Sequence, residues 1–467
     1  MRPGHGVRPE YDRVAAWIED QGLSRLLERR AEAEAFFRRV GITFAVYGEG
    51  GDPDRLIPFD LIPRVFSAAE WARIEAGCVQ RTRALNAFLA DVYRDPEPGR
   101  AEFVRAGHIP SDLVYRNAAY TPAMQGVTPP GGVFSHICGI DLVRTGENDF
   151  WVLEDNCRTP SGVSYVLENR EVMARMFPSL FADGLIRPVD TYPDMLADAM
   201  RQVAPEGVAP PRLAVLTPGQ FNSAYYEHSF LADEMGVELV EGPDLYVEDG
   251  RVWMRTIRGP ERLDVLYRRI DDAFLDPLAF RPDSVLGVPG LFEVYRQGRI
   301  TLVNAPGTGV ADDKAVYCYV PEMIRFYLGE EPILPNVPTY RCSDPGERAE
   351  VLARLHELVV KEVHGSGGYG MIIGPKATEA ERRAYADRVQ ADPGAFIAQP
   401  TLRLSTAPTL TDAGIAGRHV DLRPFVITGR ETRLIPGGLT RVALREGSLV
   451  VNSSQGGGVK DTWVLAR

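Results

Sequence analysis

No run of apolar residues in this chain approaches the ~20 needed to cross a bilayer, and no CxxC pair occurs among its five dispersed cysteines. The first absence excludes a helical membrane span. The second, with an odd cysteine count, argues against a zinc ribbon or a disulfide framework and reads as reduced thiols. Positive charge is also scarce: 52 Lys and Arg stand against 64 Asp and Glu, a formal net charge of −12. That balance excludes the broad basic face of a general nucleic-acid binder, although a few cations gathered in one cleft still suffice for a polyanion. There is no GK[ST] of a P-loop and no internal repeat. His136, His228 and His364 lack metal-ligand spacing and read as structural. The N-terminal MRPGHGVRPEYDR carries basic residues with no apolar stretch behind them, unlike a secretory signal, so a cytoplasmic location is expected.

What is present is an ordinary globular composition, 45% hydrophobic and 25% charged over 467 residues, long enough for roughly three structural units. Residues 1–100 read as mostly helical, with apolar residues three and four apart in VAAWIEDQGLSRLLERRAEAEAFFRRV and SAAEWARIEAGCVQRTRALNAFLADVYRD. Residues 101–330 mix strands, Gly/Pro turns and helices in an α/β pattern, and the Pro-rich EEPILPNVPTYRC marks a connector. Residues 331–467 carry a second hairpin, a helix and the closing strands. The fold class is α/β (α+β).

Chemistry is suggested first by a hairpin formed from VFSHICGIDLVR and FWVLEDN around the turn-forming TGEND. Glu154 and Asn156 share one strand face and Asp155 the other. With the turn near residues 147 and 148, Asp141 lies opposite Glu154 on that same face. Two carboxylates and an amide oxygen converging there repel each other unless a cation intervenes, and an all-oxygen set suits Mg²⁺. A solvated acidic strand face is the competing reading.

The second feature is KEVHGSGGYGMIIG, whose glycines Gly365, Gly367, Gly368 and Gly370 are followed by β-like residues rather than by a helix. This reads as a hairpin tip whose N–H groups suit polyphosphate, with Lys361 on the entering strand reaching a phosphate. A mobile surface hairpin is the alternative. FIAQP follows, where Gln399 and its neighbours are placed to hydrogen-bond an adenine edge. A second lysine, Lys314, follows the loop NAPGTGVADD, and two lysines beside a carboxylate cluster supply what phosphoryl transfer requires. Arg158 extends the Glu154–Asn156 face; for it, as for Arg269 and Arg423, an ion pair and an anion-binding role are both open. HVDLR superficially matches a kinase HRD segment, but Val426 stands where Asn is needed and no DFG follows.

GGVFSHICGIDLV, WVLEDNCRTPSGVSYVLENR, LTPGQFNSAYYEHSFLADEMGVELVEG, LYRRIDDAFLDP, NAPGTGVADDK and NSSQGGGVKDTW together closely resemble the circularly permuted ATP-grasp family, which is similar at greater distance to the synthetase domain of glutathionylspermidine synthase. The resemblance runs from about residue 80 to the C-terminus. It implies an ATP-grasp architecture with ATP held between two α/β units, and an ATP- and Mg²⁺-dependent ligase joining a small-molecule or peptide carboxylate to an amine through an acyl phosphate. By resemblance, Asp141, Glu154 and Asn156 would hold Mg²⁺. Lys314 and Lys361 would hold the nucleotide, the Gly365–Gly370 loop would close over phosphate, and Arg423 would match an arginine that follows a strand Asp. One position departs: the arginine expected two residues before the metal Asp is Gly139, and Arg158 is the replacement candidate. Asn222, Glu227, Ser453, Ser454 and Lys460 lie in the resembling strings and are candidates for the substrate end. A non-catalytic nucleotide-binding scaffold and a kinase-like phosphotransferase are the competing functions, and delivery of substrate by a partner protein stays open.

Overall fold

The computed structural model describes residues 7–40, 57–146, 149–364, 370–448, 451 and 457–466. Helical periodicity near the N-terminus produces two long helical stretches, Asp12–Val40, broken at Gly22 where φ is +69, and Ala68–Arg94. The second starts at a capping box in which Ser67 and Glu70 satisfy each other's backbone N–H groups. Between them lies a strand, Phe59–Phe66, that local pattern did not signal. It is buried along its whole length and so lacks the alternation of a half-exposed strand.

That strand forms one edge of a nine-stranded sheet. It runs parallel to Gly458–Val464, which is followed by Leu439–Val442, Gly414–Arg423, Ile137–Arg144, Phe425–Thr428 and Thr432–Leu434. Phe150–Asn156 pairs with Ile137–Arg144, and Thr406–Thr411 with Gly414–Arg423. The sheet therefore draws strands from all three expected segments, because ladder hydrogen bonds join residues hundreds of positions apart. Its faces enter different cores. Cys138, Ile140 and Leu142 pack with Trp71, Leu85 and Phe88 of the capped helix, whereas Ile137 packs with Val163, Val166 and Met173 of the helix Val163–Met176.

Two four-stranded sheets accompany the nine-stranded one. Leu213–Leu216, Glu238–Val240, Val265–Arg268 and Thr301–Val303 form a parallel sheet whose order is set by crossovers. Tyr340–Arg341, Phe396–Pro400, Leu358–Glu362 and Ile372–Ile373 form an antiparallel sheet with a core of its own around Val351, Leu358, Tyr385 and Val389. Among the described residues no helix is long and apolar enough to cross a membrane.

Candidate active site

A cleft of about 520 Å³ lies against the nine-stranded sheet and beneath the small antiparallel sheet. Its walls combine two kinds of side chain: apolar Val337, Val359, Ile373, Leu402 and Leu404, and charged Asp141, Glu154, Lys314, Lys361, Arg423 and Arg441. Apolar surface together with a cluster of cations is what a nucleotide needs, and the volume is in the ligand-pocket range.

The hairpin supplies the carboxylates. Asp141 pairs with Glu154 and Gly139 with Asn156, and a register shift between Asp141 and Leu142 leaves Leu153 as an extra residue. Such a bulge re-aims side chains, and here Leu153 and Glu154 both line the cleft. Asp155 turns away and forms a two-pronged ion pair with Arg81, at 2.6 and 2.7 Å, with both side chains buried.

Asp141 is wholly buried and gripped by two arginines. Arg423 donates to both of its oxygens, at 2.9 Å to Oδ2, and Arg441 donates to Oδ2 at 2.6 Å. Burial alone would raise this carboxyl, but the two guanidiniums outweigh it and hold Asp141 well below the usual carboxylate range. Arg441 also binds Asp421, its cross-strand partner, at 3.0 Å. Sequence reasoning missed Arg441; its signal was a lone arginine in the otherwise uncharged strand LTRV.

Glu154 faces cations, 3.8 Å from Lys314 Nζ and 3.7 Å from Arg423 Nη2. Lys361 donates to Gln399 Oε1 at 2.8 Å, and Gln399 donates onward to Thr339 at 3.0 Å. The Gln399 side chain thus aims Lys361, while the residues that follow it line the cleft. Burial pushes the Lys361 ammonium down to about 8; Lys314 adds to that, and Glu154 and Asp141 oppose it. Gly365, Gly367 and Gly368 lie outside the described residues, as do Ser453 and Ser454. Gly370, at φ +69, closes that hairpin beside Glu362.

The structure resolves the Gly139 departure sterically. A Cβ at Gly139 would lie 3.1 Å from Pro160 Cβ and 3.3 Å from Arg423 Cδ. The space above this glycine is therefore already taken by the Arg423 stem. Arg158 lies elsewhere on the cleft wall, its backbone N–H donating to Asp312 Oδ1 at 3.1 Å. Asp312, also missed, is pushed up to about 7 by burial, against the pull of the Cys157 and Arg158 N–H groups and the Arg158 cation.

Other candidates have structural partners. Glu227 accepts from Gly162 N at 2.7 Å and Ser164 N at 3.1 Å, capping the helix Val163–Met176, and pairs with buried Arg269 at 3.3 Å. Lys460 is buried away from the cleft against Asp60 and the carbonyls of Ile62 and Pro408, so it does not line the substrate end. Asn222 accepts from Ala224 N at 2.9 Å in its own turn. Buried His228 bonds Thr217 at 2.9 Å.

Among the described residues no group of three or more His, Cys, Asp and Glu is arranged to hold a metal. A cation here would rely on Glu154, the Asn156 carbonyl oxygen and oxygens brought by a ligand. The Asn156 amide nitrogen is committed to Gly139 O at 3.2 Å, which leaves that carbonyl oxygen to offer. This sparse, all-oxygen set fits Mg²⁺ accompanied by phosphates. Asp141 commits both oxygens to arginine, so in this arrangement it anchors the cations that surround the set.

The chain as a whole matches a known family. The model for circularly permuted ATP-grasp type 2 proteins matches residues 63–443. An uncharacterised protein of Synechocystis sp. is 53% identical over 98% of this chain and 94% of its own length. One from Mycobacterium tuberculosis strain H37Rv is 52% identical over 98% and 82%. A Frankia alni protein with the provisional name glutamate–cysteine ligase 2-3 is 44% identical over 99% of this chain, which spans only 53% of that longer protein. Among solved structures, the glutathione synthetase-like effector of Globodera pallida in its apo form superposes with a TM-score of 0.59 over 95% of this chain and 98% of its own, at 13% identity. That likeness concerns the fold alone. The chain belongs to the circularly permuted ATP-grasp type 2 family.

Proposed function

We propose that this circularly permuted ATP-grasp protein is an ATP- and Mg²⁺-dependent ligase that activates a carboxylate as an acyl phosphate and passes it to an amine. The observation that carries this reading is the convergence of cations from separate segments. Lys314 and Arg423 approach Glu154, and half-buried Lys361 stands in the same cleft, whose lining also includes apolar Val359, Ile373 and Leu402. Family membership and the glutathione synthetase-like fold support it.

In this scheme the adenine occupies the slot formed by Val359, Ile373 and Leu402, and the phosphates run toward Lys361 and Lys314. A carboxylate oxygen of the acid attacks the γ-phosphorus and ADP leaves. The amine nitrogen then attacks the acyl carbon, phosphate departs, and the nitrogen loses a proton to give the amide. The chain's part is positioning and charge neutralisation. Gln399 aims Lys361, and Asp141 and Asp421 hold Arg423 and Arg441 at the phosphate end. Glu154 and Asn156 would hold Mg²⁺, which supplies further charge neutralisation on the phosphates when bound.

The test is calorimetric titration with Mg-ATP, followed by ADP release with acid and amine pools. Binding that needs Mg²⁺, and ADP release that needs an amine, support the ligase. Release without an amine would favour a phosphotransferase, and absence of nucleotide binding by folded protein would sink the reading.

Lys361 adds a pH signature. An ammonium whose free-protein pKa is about 8 is re-protonated by an incoming polyphosphate, so binding near pH 8 takes up a proton. Affinity should fall as pH rises above 8, by up to about tenfold per unit. Titrations in buffers of different ionisation enthalpy measure the uptake, and Lys361→Met should abolish it.

A further inference from the structure

Arg158 differs from the other arginines lining the cleft. Arg423 and Arg441 each donate to buried carboxylates. The Arg158 guanidinium is 44% exposed and stands 3.7 Å from Asp271 and 3.6 Å from Asp312, close enough for attraction but beyond hydrogen-bonding distance. Its base is fixed. The Arg158 N–H donates to Asp312, its carbonyl accepts from Asn304 Nδ2 at 3.2 Å, and its stem passes over Gly309, where an added Cβ would lie 3.5 Å from Arg158 Cδ. A cation anchored through its backbone, with uncommitted N–H groups at the mouth of a cleft, is preorganised for an anion from solution. Asp271 is 54% exposed, and Asp312, whose Oδ1 accepts from the Cys157 and Arg158 N–H groups, has its Oδ2 3.6 Å from the loosely held guanidinium.

We infer that Arg158, Asp271 and Asp312 form the subsite for the amine substrate, and that this substrate is an α-amino acid. The inference rests on the ligase reading of the same cleft. An α-amino acid carries an anion and a cation one carbon apart, and the subsite offers a cation with a carboxylate less than 4 Å from it on each of two partners. The substrate carboxylate takes the free Arg158 N–H groups, and its ammonium lies against the Asp271 and Asp312 carboxylates and passes one proton to the Asp312 carboxylate, leaving a neutral amine for attack. A simple amine would leave Arg158 unanswered and a simple acid would meet two aspartates, so each single-charged analogue is disfavoured. Arg158 and Asp312 line the cleft, and Asp312 precedes cleft-lining Lys314 by two residues, which puts this side of the subsite beside the phosphate end; Asp271 joins it through its approach to Arg158.

The experiment is saturation-transfer NMR on the full chain with Mg²⁺ and a non-hydrolysable ATP analogue. Pools of the proteinogenic L-amino acids, their decarboxylated amines and their N-acetyl forms are added in parallel. Expected is binding of one or more amino acids, weakened about tenfold or more by decarboxylation, by N-acetylation, by Arg158→Gln and by Asp271→Asn. If the ATP analogue binds but no amino acid does, or the decarboxylated amine binds equally well, the amino-acid assignment is overturned while the ligase reading stands. If the analogue itself does not bind, both fall.

Discussion

Glu154→Gln is expected to leave the fold intact and to reduce Mg-ATP-dependent ADP formation by about 100-fold or more, the effect of removing one charge-stabilising group from a preorganised site. The carboxylate is partly exposed to the cleft, and its neighbours Lys314 and Arg423 lie 3.7–3.8 Å away, so its loss breaks no close ion pair with either. Stability in urea should change by no more than about 0.5 kcal/mol. A second readout follows from the charge change. Glu154 is the leading group that holds the Lys361 ammonium up against burial, so the variant's proton-uptake midpoint should move below that of the wild type. Undiminished ADP formation would remove Glu154 from the site.

Asp155→Ala, one residue along the same strand, should behave in the opposite way. Asp155 closes a two-pronged pair with Arg81 in which both side chains are at most 1% exposed. Truncation leaves a buried guanidinium whose remaining side-chain partner is Asn336, at 2.7 Å. The expected cost is about 3–5 kcal/mol of unfolding free energy, the range for removing one member of a buried ion pair. Urea denaturation measures it. The double variant Arg81→Met with Asp155→Leu should recover much of the loss, because removing both charges removes the uncompensated one. A single variant as stable as wild type would show that the pair contributes little to the fold.

These opposed outcomes mark what sequence reasoning can resolve. Strand periodicity alone separated Glu154 and Asn156 from Asp155, and hairpin pairing set Asp141 against Glu154; the structure has that register. It could not show Asp141 clamped between Arg423 and Arg441, since the latter comes from a strand some 300 residues away. Nor could it show that Lys460, in a Gly-rich string resembling a substrate loop, is buried against Asp60. The strand Phe59–Phe66 was invisible for a related reason: it is covered on both faces, so it carries no alternation.

By itself the sequence determined the α/β class, the long helices, the hairpin that sets Asp141 opposite Glu154 and the presence of two separated lysines. Each of these depends on side-chain period or turn chemistry within a few residues. Tertiary structure alone decided which strands share the nine-stranded sheet, that Arg423 fills the space over Gly139, and that half-buried Lys361 is aimed by Gln399 and pushed down to about 8. The reason is physical: burial and charge coupling depend on distance in space, and local sequence carries no record of what a distant segment brings to the same cleft.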